Sequence, residues 1–390
     1  MRILACLFAL GSLTFTHVAF SETLEDYLVA PYTLRTDDGD ILLKFHLNKS
    51  KLLKINYALP GESIDKEEVD FEEFSHESVN SINFGNQGCG EKIRFRITDK
   101  NSSNESIKGI VPSFPCPNSF LEEDVVFGFI TDTQMNFAGR LSKLSKMISE
   151  KNIQDYSFIV NAGDVIQKGG NHDQWVEFFE ASRPFLEKTP FISAVGNHAY
   201  YHDDSITEVP KYFQQYLRWD GAADFGGVSI DFNKFQLIVY NSTTHKLSLL
   251  ASRQQLKWLE SELIKVEKKN IPAIFVAHYP PFSSSGFNKG DKAQDMRDRV
   301  VPLLEKYRVK LVLSGHTHIY ERSFKSGIHY VTGGPAGGLH PPFKVKNNPY
   351  SVLTNRREST FSRVKVGFKR IEFVTWNSQG KEIDKFEIPL

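Results

Sequence analysis

The stretch LVLSGHTH, residues 311–318, decides the fold class of this chain. Its apolar first half, Leu311–Leu313, is typical of a buried β-strand, and His316 and His318 follow that strand directly. Four other segments repeat an apolar run that ends in metal-binding residue types: FITDTQ, VNAGD, AVGNH and FVAH. Ligands of open α/β sheets gather at the carboxyl ends of the strands, so the five segments predict one shared pocket.

The polar residues that end these five segments form a candidate set of metal ligands. They are Asp132, Gln134, Asp164, Asn197, His278, His316 and His318, with His198 beside Asn197. Carboxylate, amide and imidazole groups from five strands can enclose two metal ions in one pocket. The sequence therefore predicts a two-metal site and, with it, a hydrolase.

The spacing between the segments predicts strands that alternate with helices. Asp132 and Asp164 are 32 residues apart, and Asp164 and Asn197 are 33 apart, which leaves room for a helix and a return strand. The first insert has an apolar stripe at helical spacing, the second is predicted to be helical over Gln174–Glu187, and a third helix is expected to open at Ser252 with a capping box. The pattern predicts a largely parallel sheet covered on both faces, either single or split into two packed sheets.

The composition indicates a globular chain that is large enough for two domains. The chain has 390 residues, of which 40% are hydrophobic, and 31 of them are phenylalanine. Lys plus Arg and Asp plus Glu both total 47, so the charge gives no sign of binding to nucleic acid or to an anionic membrane. After residue 21 no apolar run is long enough to span a bilayer, so no membrane span is expected.

The N-terminal residues predict export. Residues 1–21 combine Arg2, the apolar run Ile3–Leu13 and a small-x-small cleavage site at residues 19–21. A membrane anchor is the alternative, but the apolar run is short for a bilayer. We therefore expect a signal peptide and a secreted or periplasmic protein.

The rest of the chain is predicted to form two domains. Residues 22–120 show short alternating runs between turn signals, which predicts a β-sandwich. Residues 121–390 carry all the candidate ligands and are predicted to form the catalytic domain. The alternating residues from Ser362 to Leu390 are expected to be its closing strands.

Two cysteines, Cys89 and Cys116, remain once the signal peptide is removed. An even pair in an oxidising compartment predicts a disulfide bond, and two buried free thiols are the alternative. Sequons for N-glycosylation stand at Asn48, Asn101, Asn104 and Asn241. They matter only if a eukaryotic secretory pathway makes the protein.

The ordered motifs resemble the calcineurin-like metallophosphoesterase superfamily. The motifs are Asp132, Gly163-Asp164, Gly196-Asn197-His198, His278 and Gly315-His316-Thr317-His318. The longer match GHTHIYERS at residues 315–323, with YVTGG at residues 330–334, resembles the purple acid phosphatase branch. The resemblance implies a four-layer α/β/β/α sandwich, with a fibronectin-like β-sandwich as the N-terminal domain.

The resemblance also implies a role for each candidate residue. Asp164 would bridge two divalent ions of iron, manganese or zinc. The first ion would also be bound by Asp132 and His318, and the second by Asn197, His278 and His316. A hydroxide held between the ions would attack phosphorus, and His198 would donate to a phosphate oxygen or protonate the leaving group.

The implied protein is a secreted metal-dependent phosphatase. It would hydrolyse phosphomonoesters in phosphorylated small molecules or phosphoproteins. One alternative is a phosphodiesterase that acts on nucleotides or phospholipid head groups, which the motifs also allow. The other is a non-catalytic binding protein on the same fold, because a fold does not imply a function.

Three residues depart from the family pattern. Gln134 stands where many members have histidine, and its amide oxygen would either bind the first metal or hydrogen-bond a metal-bound water. Gln167 stands where purple enzymes have a tyrosine, so no tyrosinate is evident to bind ferric iron and no purple colour is expected. Ala199 follows His198 where an acidic residue is usual, which leaves the orientation of His198 open.

Two residues near the motifs are expected to have structural roles. Arg322 could clamp a substrate oxyanion, but a structural role, in which it pairs with a carboxylate at the domain interface, is favoured. His172 lies near a motif loop, and a surface or hydrogen-bonding role is favoured over one in the site.

Overall fold

The structure is a computed structural model, and it describes thirteen segments of the chain. They are residues 27–35, 41–58, 62–64, 70–84, 93–101, 106–111, 124–151, 156–203, 209–218, 223–286, 291–338, 347–355 and 358–390. The predicted signal peptide, the cysteines Cys89 and Cys116, and the sequon at Asn104 lie outside these segments. Export and the disulfide bond therefore stay predictions.

The N-terminal part of the described chain folds into seven strands. They are β1 Tyr27–Arg35, β2 Ile41–Leu47, β3 Lys51–Ala58, β4 Glu72–Phe74, β5 Asn80–Asn83, β6 Ile93–Asp99 and β7 Ser106–Val111. The strands pair in two antiparallel sheets, β1-β2-β5 and β4-β3-β6-β7. Phe45 of the first sheet and Phe95 of the second lie in one shared apolar core. Two sheets around one core are what a sandwich requires, while its fibronectin-like character and its end at residue 120 stay predictions.

Thirteen more strands and six α-helices follow among the described residues. The strands are β8 Val125–Ile130, β9 Phe158–Asn161, β10 Phe191–Ser193, β11 Val228–Asp231, β12 Gln236–Tyr240, β13 Ala273–Ala277, β14 Val309–Ser314, β15 Tyr320–Lys325, β16 Ile328–Thr332, β17 Ser351–Asn355, β18 Thr360–Val366, β19 Arg370–Asn377 and β20 Glu382–Pro389. The helices are α1 Ser142–Glu150, α2 His172–Leu186, α3 Lys211–Leu217, α4 Leu249–Lys269, α5 Asp291–Asp295 and α6 Val301–Lys306.

These strands form two sheets of six and seven strands. The six-stranded sheet has the order β10-β9-β8-β18-β19-β20, and β8, β9 and β10 are parallel. The seven-stranded sheet has the order β11-β12-β13-β14-β16-β15-β17, and β12, β13, β14 and β16 are parallel. Strand β18 pairs antiparallel with β8 and places Val364 opposite Phe127. The residues after Ser362 therefore do close this part of the fold.

The two sheets pack face to face and carry helices on their outer faces. Phe129 and Val160 of the six-stranded sheet share one buried core with Val276 and Leu313 of the seven-stranded sheet. A second core lies under α1 and α2, and a third lies under α4 and α6. The mixed α/β fold with several sheets is confirmed, and the layers follow the order helix, sheet, sheet, helix. Each apolar side chain buried in this way stabilises the fold by roughly 1.5–3 kcal/mol.

The helices confirm two of the three sequence predictions about their positions. Helix α1 buries the predicted apolar stripe, and α2 covers the predicted second insert. The predicted start of the third helix at Ser252 is wrong. Helix α4 begins at Leu249 because the Ser248 hydroxyl accepts the backbone N–H of Ala251, which caps the helix four residues earlier.

The N-terminal strands contact helices α2 and α3 through a polar cluster. The Tyr32 hydroxyl donates to the Tyr216 carbonyl at 2.8 Å, and the ammonium of Lys44 donates to the Gln215 carbonyl at 3.2 Å. The Tyr216 hydroxyl lies 2.6 Å from His46 Nδ1 and 2.8 Å from His172 Nε2. We call His46, His172 and Tyr216 the interface cluster. His172 thus has the hydrogen-bonding role that the sequence favoured.

None of the helices in the described segments combines the length and the apolar character needed to cross a membrane.

Candidate metal centre

The predicted ligands lie at the carboxyl ends of five parallel strands. In strand order they are Asp132 and Gln134 after β8, Asp164 after β9, Asn197 after β10, His278 after β13, and His316 and His318 after β14. The loops of the two sheets are bonded to each other there. The backbone N–H of His316 donates to the Asp132 carboxylate at 2.9 Å, and His278 Nδ1 donates to the Ala162 carbonyl at 2.9 Å.

Four of the seven predicted ligands have a positive φ. Asp132 has φ 52°, Asp164 has φ 53°, His316 has φ 69° and His318 has φ 54°. Such a conformation is uncommon outside glycine and costs free energy, although Asp, Asn and His tolerate it best. The chain therefore turns sharply after β8, β9 and β14, where these four residues lie.

Two glycines make room for the carboxylates. A Cβ on Gly196 would collide with the side chain and backbone of Asp164, and a Cβ on Gly315 would collide with Thr131 and Asp132. Any other residue at either position would displace a carboxylate from the centre. This close approach explains the glycines of the GNH and GHTH motifs.

Three side-chain atoms that can bind a metal ion converge here, one each from Asp164, Asn197 and His278. His278 Nδ1 faces a carbonyl oxygen, which only accepts, so Nδ1 carries a proton and Nε2 is the atom that can present a lone pair to a metal ion. His278 Nε2 lies 3.1 Å from Asp164 Oδ2 and 3.1 Å from Asn197 Oδ1. Acceptors this close repel one another unless a cation or a proton lies among them. The donor set therefore fits a metal ion.

His316 completes the second part of the centre. Its ring nitrogen lies with ligand atoms of Asp164 and His278 in a group whose members are all within 4.8 Å of one another. Burial and the neighbouring His278 lower the pKa of His316 to about 3. His316 is therefore a neutral imidazole, which is the form that binds metals. Burial alone would also lower the pKa of His278, but the Asp164 carboxylate outweighs burial and raises that pKa.

The other part of the centre surrounds Asp132. Its carboxylate is fully buried, accepts the Thr131 hydroxyl at 2.8 Å and lies 3.3 Å from His318 Nε2. The Gln134 amide nitrogen lies 3.1 Å from His318 Nε2. The Gln134 amide oxygen is buried and has no hydrogen-bond partner within the described residues. A buried acceptor without a donor suits a cation, and the ligation of a metal ion by Gln134 stays a prediction.

His198 is oriented by a backbone carbonyl rather than by an acidic neighbour. Its Nδ1 donates to the Gln167 carbonyl at 2.8 Å, which leaves Nε2 3.8 Å from Asp164 Oδ2. Its backbone N–H donates to Asp164 Oδ1 at 2.9 Å. The orientation that Ala199 left open is therefore set by the residue that replaces the family tyrosine, Gln167.

Tyr201 lies beside Asn197 and His198, although none of the sequence motifs predicts it. The Tyr201 hydroxyl accepts the Asn197 amide N–H at 3.3 Å, and its ring centroid lies 4.5 Å from that of His198. The turn Asn197–Tyr200 creates this contact, because it brings the side chain four residues after Asn197 back over the site. A tyrosine just beyond the GNH motif was the available signal.

Arg322 does not point to the centre. Its guanidinium pairs with the Asp384 carboxylate at 2.7 and 3.1 Å, and the Tyr320 hydroxyl donates to the same carboxylate at 2.8 Å. Arg322 therefore has the favoured structural role, but the predicted place of its partner is wrong, because Asp384 lies on β20 within residues 121–390 and not at the domain interface.

A match to a known protein family covers the strands and loops that build this site. Residues 125–320, half of the chain, match the calcineurin-like phosphoesterase family. The chain belongs to this family. Members use a centre of two metal ions, and all seven predicted ligands fall within the matched range.

Curated relatives are purple acid phosphatases and related plant enzymes. Purple acid phosphatase 22 of Arabidopsis thaliana is 28% identical over 271 residues, which cover 64% of this chain and 58% of the relative. A nucleotide pyrophosphatase/phosphodiesterase of Hordeum vulgare is 28% identical over 236 residues, which cover 54% of this chain and 62% of the relative. The chain spans less than two thirds of the length of these relatives.

A solved structure shares the fold over most of the chain. Purple acid phosphatase PPD1 from yellow lupin, Lupinus luteus, superposes with a TM-score of 0.71 and 14% sequence identity. The superposition covers 92% of this chain and 74% of the lupin chain. This likeness concerns the fold alone.

Proposed function

We propose that this protein is a secreted metal-dependent phosphatase that hydrolyses phosphomonoesters. The convergence of Asp164, His278 and Asn197 carries the proposal, because His278 Nε2 lies 3.1 Å from both Asp164 Oδ2 and Asn197 Oδ1, an arrangement that suits a shared cation. The name of the Arabidopsis relative supports phosphatase activity. The substrates would be phosphorylated small molecules or phosphoproteins. Secretion follows from the predicted signal peptide at residues 1–21.

The proposed centre has two metal positions that share Asp164. We call the side with Asp132, Gln134 and His318 the first position. The second position has Asn197, His278 and His316. The donor set of carboxylate, amide and imidazole suits divalent iron, manganese or zinc. When bound, two such ions would supply an activated hydroxide and neutralise the charge that develops on the phosphoryl oxygens.

His198 is the proposed acid or phosphate-binding group. With its Nδ1 proton held by the Gln167 carbonyl, its Nε2 is the atom free to donate toward the substrate. Nε2 lies 3.8 Å from Asp164 Oδ2, so the donor atom is placed beside the carboxylate that both metal positions would share. No residue of the structure has to move to place this proton donor beside the centre.

A phosphodiesterase is the second candidate function. The name of the barley relative, a nucleotide pyrophosphatase/phosphodiesterase, favours this alternative. The same ligands would serve both reactions, since a monoester and a diester differ in the group on one phosphoryl oxygen. The ligand set therefore does not separate the two candidates.

The decisive experiment combines metal analysis with two matched substrates. The purified protein should carry two metal ions per chain and should hydrolyse 4-nitrophenyl phosphate faster than bis(4-nitrophenyl) phosphate. The two substrates share a leaving group, so the ratio of their rates reports the preference for monoesters. A chelator should inactivate the protein, and a divalent ion should restore it. A protein that binds metal but hydrolyses neither ester would instead be a binding protein on this fold.

A further inference from the structure

Tyr201 touches two residues of the proposed centre at once. Its hydroxyl accepts the Asn197 amide N–H at 3.3 Å, and its ring packs against the His198 ring at a centroid distance of 4.5 Å. We propose that Tyr201 is a positioning residue that fixes the metal-facing oxygen of Asn197 and the ring of His198. Because Asn197 is a ligand only if the chain holds metal ions, this role of Tyr201 rests on the proposed function.

The case for Asn197 comes from the two faces of its amide. An amide can present either its oxygen or its NH₂ group to a neighbour, and only the oxygen binds a cation. In this structure the oxygen faces His278 Nε2 at 3.1 Å and the NH₂ group faces the Tyr201 hydroxyl. The hydroxyl thus anchors the NH₂ group of the amide while the oxygen faces the proposed metal position. Partners of metal ligands commonly contribute about 10–100-fold to metal affinity.

The case for His198 comes from the two constraints on its ring. The Gln167 carbonyl holds Nδ1 at 2.8 Å, but a single hydrogen bond still allows the ring to rotate about it. The Tyr201 ring closes one side of the imidazole and limits that rotation. Together the two contacts direct Nε2 toward the Asp164 carboxylate, where a substrate would lie.

The backbone of Tyr201 is itself held in place. Its N–H donates to the His198 carbonyl at 3.1 Å, and its carbonyl accepts the N–H of Gly170 at 3.0 Å. The side chain is nevertheless 41% exposed, so replacing it should not disturb the core. Tyr201 is thus rigid enough to position its neighbours and open enough to be changed without unfolding the protein.

Three variants test the role of the hydroxyl and of the ring separately. Tyr201→Phe removes only the hydroxyl, Tyr201→Ala removes the hydroxyl and the ring, and Tyr200→Phe is the matched control. Tyr200 lies in the same turn, and its hydroxyl accepts at 3.1 Å from the amide of Asn241, which is not one of the proposed ligands. The measurements are zinc binding to the metal-free protein by calorimetry and kcat at saturating zinc.

We expect the affinity of one of the two zinc ions to fall about 10–100-fold in Tyr201→Phe, with kcat at saturating zinc near the wild-type value. Tyr201→Ala should lose the same affinity and also lower kcat by about 10-fold or more, since a misplaced catalytic group is costly. Tyr200→Phe should leave both zinc affinities unchanged. Calorimetry thus reports the Asn197 contact independently of activity.

Each contrary result has its own meaning. Wild-type zinc affinity in Tyr201→Phe, or equal losses in Tyr200→Phe, would overturn the assignment of the hydroxyl. Equal kcat values in Tyr201→Phe and Tyr201→Ala would overturn the assignment of the ring. A wild-type protein that binds no zinc would overturn the proposed function itself, together with the role of Tyr201.

Discussion

The metal centre and the interface cluster are both built around buried histidines, but their partners differ. In the centre, His278 and His318 lie 3.1 and 3.3 Å from the carboxylates of Asp164 and Asp132. In the interface cluster, His46 and His172 share the hydroxyl of Tyr216, at 2.6 and 2.8 Å. The carboxylates of the centre stabilise positive charge beside them, and the neutral hydroxyl of the cluster does not.

The directions of the pKa shifts follow this difference. Burial would lower the pKa of His278, yet the Asp164 carboxylate raises it. Burial lowers the pKa of His46 and of His172, and the His76 carbonyl and the Asp173 carboxylate, which act in the opposite direction, do not reverse that. The same residue type therefore forms a cation site where carboxylates accompany it and a neutral hydrogen-bonded contact where they do not.

The largest expected effect comes from removing the carboxylate that both metal positions share. Asp164→Asn keeps the shape of the side chain but removes its charge, so the two metal positions lose the carboxylate that they share. We expect activity to fall about 10³-fold or more, because several kcal/mol of charge stabilisation is lost. Metal analysis should find fewer than two ions per chain, while circular dichroism should show a retained fold. An active Asp164→Asn protein with both ions would refute the two-metal centre.

His198 provides the next largest effect. It lies in the centre, but its Nε2 is 3.8 Å from Asp164 Oδ2, and its Nδ1 is bonded to the Gln167 carbonyl. We expect His198→Ala to lower kcat by about 10²–10⁴-fold, as for the loss of a general acid. The metal content should stay at two ions per chain. Loss of a metal ion in this variant would instead make His198 a ligand.

A smaller effect should follow from adding an imidazole at the first position. Gln134 offers an amide oxygen, which is a weaker ligand than imidazole, so the first position should lose its ion to a chelator before the second does. Gln134→His should tighten the first position about 10-fold without abolishing activity. Stepwise chelation with metal analysis at each step measures the order. Unchanged release in Gln134→His would place Gln134 outside the set of ligands.

The sequence predicted the fold and the candidate ligands, because each of these two predictions depends on a local pattern. An apolar strand that ends in Asp, Asn or His is visible in one segment, and the parallel arrangement then brings the ends together. The start of helix α4 was predicted wrongly because Ser248 and Ser252 both offer a capping hydroxyl. Only the extended backbone at Ser248, with φ −60° and ψ 157°, decides between them.

The supports of the site could not be predicted in the same way. The carbonyl of Gln167 that orients His198 belongs to the backbone, and every residue has one. The contact between Tyr201 and Asn197 depends on the tight turn between them, which the sequence does not specify. The sequence also cannot show that His46 meets His172, since 126 residues separate them and the contact forms between distant parts of the fold.

The smallest expected effect concerns the interface cluster and the stability of the fold. The Tyr216 hydroxyl has one proton, so it can donate to only one of its two histidines, and the other must donate to it. His46 Nε2 faces the His76 carbonyl at 3.0 Å and so carries a proton, which leaves His46 Nδ1 as the acceptor. Protonating His46 or His172 would break this order and place charge beside a second imidazole 3.4 Å away.

The sign of the pH dependence follows from these lowered pKa values. The unfolded chain has histidine pKa values near 6.5 and binds protons that the folded cluster resists. The contribution to stability is therefore complete above about pH 6.5 and is lost as the pH falls below that value. Asp173 opposes the shift at His172 and Lys211 reinforces it, while the His76 ring reinforces the shift at His46.

Thermal unfolding between pH 7.5 and pH 5 measures this contribution. We expect the wild type to lose about 2–4 °C more in Tm than His172→Asn over this interval, for each kcal/mol that the cluster contributes. The exposed His202 gives a matched control, because His202→Asn should keep the wild-type dependence. Any loss of metal at low pH affects all three proteins alike and cancels in the comparison. If Tm falls by the same amount in His172→Asn and in the wild type, the stability of the interface cluster does not depend on pH. The cluster and the metal centre would then differ in geometry and not in their response to charge.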